Sequence, residues 1–193
     1  MGRPSLAAQR SAEILDAFER CVAQFGLGGS SLERIAEEAG MKRSILRHYV
    51  GNRDDLIIAL GERVTGKYRE QMAALSGLED SDTRIRQLLD YLLPKQPIGT
   101  TENLLVMESL IGGAREYDEL QTMLREYIND LIAQVAKILR CEFPDAGPAE
   151  CWSVSYGLIS ICFNHESLIP LDLPAKYRKG ARDAATSLIG ALR

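Results

Sequence analysis

The sequence predicts an all-α fold of about nine helices. Strand signals are almost absent, apolar residues recur with helical spacing over nearly the whole length, and Gly or Pro punctuates each periodic run. With 193 residues, 46% of them hydrophobic, the chain can bury a sizeable core without staples. The pattern divides into a short N-terminal unit, residues 1–52, and a larger helical unit, residues 53–193.

The first helix places Ile14, Phe18, Cys21, Val22 and Phe25 on one stripe and ends at Gly26. After the linker LGGS, Ser30 and Glu33 have capping-box spacing ahead of Leu32, Ile35, Ala36 and Ala39. This second helix ends near Gly40, and a short third one runs from about Lys42 to Val50. Asn52 is the expected N-cap of a long fourth helix, with Asp54 and Asp55 in its first turn and Leu56, Leu60, Val64, Tyr68, Met72 and Leu75 on its apolar stripe. Gly61 and Gly66 interrupt it, for close packing or for flexibility.

The larger unit continues the pattern. Ile85, Leu88, Leu89, Leu92 and Leu93 form a stripe stopped by Pro94, and Leu104, Met107, Leu110 and Ile111 one stopped by Gly112 and Gly113. The cleanest stripe runs from Leu120 through Leu124, Tyr127, Ile128, Leu131, Val135 and Ile138 to Leu139. Beyond Pro144, Gly147 and Pro148, two more helices are expected, about Ala149 to Ile169 and Ala175 to Leu192. The first of these is apolar on two sides, with Cys151, Ser155, Leu158, Cys162 and Ile169 on one and Trp152, Tyr156, Ile159 and Phe163 on the other. Burial on both sides follows, one against a pocket and one against a subunit interface. Asn164, His165 and Glu166 interrupt this helix, to satisfy groups at a subunit seam or to orient a ligand.

Charge and cysteine usage narrow the function. The net charge is −4, so any surface for nucleic acid must be local. Residues 1–50 carry seven Lys/Arg against six Asp/Glu, and the remainder sixteen against twenty-one. The four cysteines, Cys21, Cys141, Cys151 and Cys162, form no CxxC pair. Cys151 and Cys162 are about 16 Å apart along a helix, beyond disulfide reach, so reduced, buried thiols and a cytoplasmic location are expected. No signal peptide or membrane span is read. Metal-spaced clusters, nucleotide-binding Gly loops and nucleophile–base motifs are absent from the sequence, so neither a cofactor nor enzymatic activity is expected.

A helix, a glycine turn and a short helix in SSLERIAEEAGMKRSILRHYV have helix-turn-helix spacing. Leu32, Ile35, Ala36, Ala39, Met41, Leu46 and Val50 can bury together. A recognition helix needs donors near its N-terminus to reach base edges, and Lys42, Arg43 and Ser44 stand there. Arg47, His48, Tyr49 and Arg53 suit phosphate contacts. Ile45 either meets a thymine methyl or fills core. Ser30 and Ser31 complete this candidate DNA-contacting set, and Arg3, on a Gly- and Pro-containing arm, suits a narrow minor groove. The alternative for the cluster is a solvated cationic helix face.

From about Arg10 to Leu60 the chain resembles the DNA-binding domain of the TetR family of bacterial transcriptional repressors, through ILDAFERCVAQFG, SSLERIAEEAG and LRHYVGNRDDL. The resemblance implies a three-helix DNA-binding head, a linking fourth helix and a divergent ligand-binding and dimerisation domain. It departs from the family pattern at Lys42, usually a small hydroxyl residue, at Arg47, usually aromatic, at Tyr49 and Val50, usually His and Phe, and at Arg53, usually Lys. The final two helices are implied to pair with their twofold mates through Phe163, Tyr177, Ala181, Ala184, Ala185, Leu188, Ile189 and Leu192. By the same analogy an effector pocket draws on Tyr68, Met72, Tyr91, Asn103, Met107, Tyr127, Trp152, Tyr156 and Cys162, each of which could equally be ordinary core. The expected function is a regulator, a ligand-released repressor acting as a homodimer on a palindromic operator. Its partners would be double-stranded operator DNA and a small-molecule effector, with no membrane. The alternative is a dimeric helical adaptor without DNA binding.

Overall fold

The computed structural model describes residues 6–76, 81–94 and 101–192, and their side chains except at 71, 73–76, 81–82 and 101–103. Among the described residues there are nine α-helices and no strand: α1 (Leu6–Gly29), α2 (Leu32–Glu38), α3 (Arg43–Val50), α4 (Arg53–Ser76), α5 (Ser81–Leu92), α6 (Thr101–Gly113), α7 (Asp118–Glu142), α8 (Pro148–Ser167) and α9 (Ala175–Gly190). Short 3-10 turns precede α7 and α9. The all-helical reading therefore holds.

The helices form two compact units. The first holds residues 1–66 and 99–125, and the second 67–98 and 126–193, so α4 and α7 each contribute to both. In the first unit α1 packs along α6 and against α2 and α3. Ile14, Ala17 and Phe18 of α1, Ile35 of α2, Leu46 of α3, and Leu56, Ile57 and Leu60 of α4 are fully buried there. Every α1 stripe residue predicted is buried except Phe25, which is 43% exposed and instead carries the Arg34 guanidinium 4.1 Å above its ring.

Local chemistry explains the breaks. Gly26 has φ 69°, a left-handed conformation that L side chains resist, so the helical path of α1 is broken there and only a last turn, 27–29, follows. Gly40 does the same between α2 and α3, at φ 63°. The N-cap of α2 is Ser31, whose hydroxyl accepts from the Arg34 N–H at 3.3 Å. The expected capping role of Ser30 is thus corrected by one residue: Ser30 is fully buried and donates to the Gly26 carbonyl at 2.8 Å, sealing the break in α1. Asn52 caps α4 as read from the sequence. Its side-chain oxygen accepts from Asp54 N–H at 2.7 Å and Asp55 N–H at 3.0 Å, while Asp55 accepts in return from Asn52 N–H at 2.8 Å. Gly61 is a close-packing glycine. A Cβ there would stand 2.9 Å from Leu120 Cδ1 and 3.0 Å from Met123 Sδ, whereas one at Gly66 would meet nothing within 4 Å.

In the second unit α5 packs on α8 and α9, and α8 packs along α9. Leu131, Val135, Ile138 and Leu139 of α7 and Cys151, Leu158 and Ile159 of α8 supply its core. Two polar ties join its helices. Arg84 of α5 pairs with Glu142 of α7 at 2.5 Å, both largely buried. Arg182 of α9 pairs with Asp90 at 2.7 Å and donates to the Leu89 and Leu93 carbonyls at the end of α5, covering acceptors the helix leaves free. All four cysteines are free thiols. Cys21, Cys151 and Cys162 are buried, but Cys141 is exposed, which corrects the expectation for that residue. No described helix is long and apolar enough to cross a membrane.

Candidate nucleic-acid interface and ligand site

The helix-turn-helix is built on one anchor. Leu46 of α3 is fully buried with Ile35 and Ala36 of α2, and that fixes which way the rest of an eight-residue helix faces. Lys42, Arg43, Ser44, Ile45, Arg47 and His48 are consequently all exposed, and Tyr49 and Val50 are half-buried. Ile45, at 44% exposure, is on the open face rather than in the core. His48 and Tyr49 meet edge to face, with ring centroids 5.2 Å apart. Lys42 is the N-cap of α3 and makes no side-chain cap bond, so its ammonium is not spent on the helix end. The N-terminus of α3 thus presents two cations, a hydroxyl and free backbone N–H groups on one surface.

Two cations are less free than the sequence suggests. Arg43 pairs with Glu33 of α2 at 2.5 Å, with both side chains more than half exposed. Such pairs are worth about 0–1 kcal/mol, so a phosphate or base edge can displace Glu33. Arg53 is more committed. Its guanidinium is half-buried and donates to the Leu27 carbonyl at 2.5 Å, to the Tyr117 hydroxyl at 2.6 Å and, at the limit of reach, to the Ser30 carbonyl at 3.5 Å. Its expected phosphate contact is therefore revised: Arg53 ties the last turn of α1 to the starts of α4 and α7. Tyr117 and Glu33 were missed as partners because neither spacing nor composition links them to these arginines. Ser30, being fully buried, also leaves the candidate contact set, while Ser31 remains exposed at the start of α2. Arg3 lies outside the described residues.

The candidate effector residues separate. Tyr68, Met72, Tyr91, Tyr127 and Cys162 fall in the second unit; Met107 is buried in the first, and the side chain of Asn103 is outside those described. Tyr68 and Tyr127 have ring centroids 5.9 Å apart. Tyr91, Tyr127 and Cys162 interact electrostatically with Glu166, and the Cys162 thiol donates to the Glu166 carboxylate one turn along α8. Burial pushes the Tyr91 and Tyr127 phenols and the Cys162 thiol upward, so all stay protonated at neutral pH. Desolvation raises the Glu166 carboxyl to about 7, against the smaller opposing effect of the thiol. Burial, helped by Arg178, lowers His165. Of the Asn164–Glu166 trio, Glu166 is thus the member turned into the unit.

Trp152 and Tyr156 do not line this cluster. They are 53% and 55% exposed and stack on each other, with centroids 5.7 Å apart and planes 6° from parallel. Their expected place in a pocket is corrected: on the second side of α8 Ile159 is buried, whereas Trp152 and Tyr156 face outward, as the alternative of a subunit interface would have it. On α9, Tyr177 and Ala184 are exposed, and Ala181 and Leu188, like Phe163 on α8, are half-buried. Ala185, Ile189 and Leu192 are buried within the chain and are spent on its own core. The two helices approach closely at Gly157, where a Cβ would stand 3.0 Å from Leu188 Cδ1. Among the described residues no group of three or more His, Cys, Asp or Glu could hold a metal.

Residues 14–60, from the α1 stripe through the turn and α3 into α4, match the family model described as bacterial regulatory proteins, tetR family. That stretch, and with it the helix-turn-helix, is similar to the DNA-binding region of TetR-family regulators. The regulator RutR of Escherichia coli O157:H7 is 27% identical over 136 residues, 68% of this chain and 62% of RutR. The repressor AcnR of Corynebacterium jeikeium is 34% identical over 71 residues, 37% of each chain. The matched stretch thus spans less than two thirds of these relatives. A TetR transcription regulator from Haloarcula marismortui shares the fold at a TM-score of 0.78 and 19% identity, covering 95% of this chain and 97% of that one. The family-model match is confined to the helix-turn-helix and its flanks, whereas the likeness to the Haloarcula protein over nearly the whole chain is one of fold.

Proposed function

We propose that this chain is a non-enzymatic, cytoplasmic, DNA-binding transcriptional regulator of the TetR family: a repressor that acts as a homodimer on a palindromic operator and is released by a small molecule. The observation that carries it is the exposed row Lys42, Arg43, Ser44, Ile45, Arg47 and His48, held outward by the buried Leu46. The functional division falls between residues 52 and 53, with DNA contacts before it and effector and subunit contacts after. Lys42, Arg43 and Ser44 read bases, Arg47, His48 and Tyr49 with Ser31 hold phosphates, and Arg3 enters the minor groove. The Trp152–Tyr156 stack, with Phe163, Tyr177 and Ala184, supplies the subunit interface, since large exposed aromatics on adjoining helices favour burial. Effector in the second unit changes the spacing of the two recognition helices, which must sit about 34–36 Å apart to enter successive major grooves.

Fluorescence anisotropy with DNA from upstream of the chain's own gene tests this. A specific complex is expected, with affinity falling steeply as salt rises. Arg47→Ala should weaken binding evenly across sequences and lower the salt slope by about 1. Arg43→Ala should change which base is preferred. Binding with no sequence preference, or an Arg47→Ala protein with wild-type affinity and slope, would sink the assignment. In sedimentation the wild type should be dimeric and Trp152→Glu shifted toward monomer.

A further inference from the structure

The second unit carries acceptors that the described side chains leave short of donors. Glu166 is a largely buried carboxylate in the last turn of α8, where the helix already concentrates partial negative charge. The described side chain that bonds it is the Cys162 thiol, a weak donor. His165, its neighbour, is no counter-charge either: burial, helped by the positive charge of Arg178, lowers it and disfavours its charged form. On α5, Gln87 lies one turn from Tyr91, and its side-chain oxygen is buried without a hydrogen-bond partner. Around Glu166 stand aromatic rings from three helices: Tyr91 of α5, Tyr127 of α7 and, 5.9 Å from Tyr127, Tyr68 of α4. Tyr127 is buried, and Tyr68 and Tyr91 are half-buried, which gives the cluster a face toward solvent.

A neutral apolar ligand would leave both acceptors unsatisfied, and an anion would be repelled. An ammonium group answers both needs, and electron-rich ring faces attract it further. We infer that the second unit binds an organic cation, a protonated alkyl- or arylalkylamine, with Glu166 as counter-charge, Gln87 as acceptor and Tyr68, Tyr91 and Tyr127 as walls. This rests on the effector-binding reading and names its ligand class.

The groups facing Glu166 are the phenols of Tyr91 and Tyr127 and the Cys162 thiol, with Tyr68 beside Tyr127 and Arg178 acting on His165. The phenols and thiol are pushed up and His165 down, away from Glu166, whose carboxyl, at about 7, changes charge between pH 6 and 8. A cation needs it ionised. Amine affinity should therefore fall about tenfold from pH 8 to pH 6.

Calorimetric titration of the full chain with four probes tests the inference: 2-phenylethylamine, benzyltrimethylammonium, 2-phenylethanol and phenylacetate. The amine should bind most tightly. The quaternary ion should bind more weakly, since it cannot donate to Gln87, the alcohol weaker still, and phenylacetate not at all. E166Q should weaken the amine at least tenfold at pH 8 and abolish its pH dependence, while leaving the alcohol unchanged. Q87L should narrow the gap between the amine and the quaternary ion without altering the pH dependence. An alcohol or carboxylate that binds as tightly as the amine, or an E166Q protein that keeps wild-type amine affinity, overturns the cation assignment and leaves an effector site standing. Silence from all four probes overturns both.

Discussion

Replacing Arg53 with methionine separates two roles that one arginine can play. The side chain keeps most of its apolar length but loses the donors that reach Leu27 O at 2.5 Å and Tyr117 Oη at 2.6 Å. The contact with Ser30 O at 3.5 Å contributes little. Hydrogen bonds from a charged donor contribute about 1.5–3 kcal/mol each when well placed. The guanidinium is half-buried, so the lower end applies, and Arg53→Met should cost about 2–4 kcal/mol in denaturant unfolding. Tyr117→Phe removes one bond and should cost about 1 kcal/mol. The double variant should cost less than the sum of the two, with a coupling of about 0.5–1.5 kcal/mol, because both lose the same contact. DNA affinity should fall only as far as the first unit loosens, with the salt slope unchanged. If Arg53→Met unfolds like wild type while its salt slope falls by about 1, the arginine contacts a phosphate and the internal tie is not its role.

Three other outcomes are expected. Leu46→Ala empties the fully buried anchor of α3 and should cost about 2–5 kcal/mol, read by circular dichroism during unfolding, with operator binding lost at lower temperature than in wild type. Gly61→Val drives a side chain into Leu120 and Met123 and should destabilise by about 1–3 kcal/mol, whereas Gly66→Ala, with open space around it, should be neutral or stabilising. Glu166 has a folded-state value of about 7 against 4.5 unfolded, so its protonated form favours folding. That contribution is complete below pH 4.5 and is lost as pH rises through 7. Wild type should therefore lose up to roughly 3 kcal/mol relative to Glu166→Gln between pH 4.5 and 8, and parallel stability profiles would refute the burial argument.

The all-helical fold, the break at Gly26, the Asn52 cap and the turn at Gly40 were legible because each rests on a local rule. Helical spacing of apolar residues, a side chain that caps its own helix, and a residue type that tolerates positive φ all act within four or five positions. The helix-turn-helix was legible for the same reason: Leu46 and its neighbours within about twenty residues fix which way Lys42, Arg43 and Arg47 face. The one-residue slip between Ser30 and Ser31 shows the limit of such rules. Both serines suit a cap, and the choice is made by the Gly26 carbonyl that α1 leaves unsatisfied and Ser30 fills.

What the tertiary structure decided involves partners far apart in the chain. Arg53 looks like a phosphate contact until Tyr117, sixty-four positions away, takes one of its donors. Trp152 and Tyr156 share the helical period of buried residues, and only the packing of α8 on α5 and α9 shows that these two rings face outward. Glu166 reads as a polar interruption until α4, α5 and α7 bring three tyrosines to its surroundings. Periodicity sets which residues share a helix face. Whether that face meets a core, a partner or water depends on which other helices arrive, and desolvation, which gives a buried carboxylate or guanidinium its chemistry, exists only after they have.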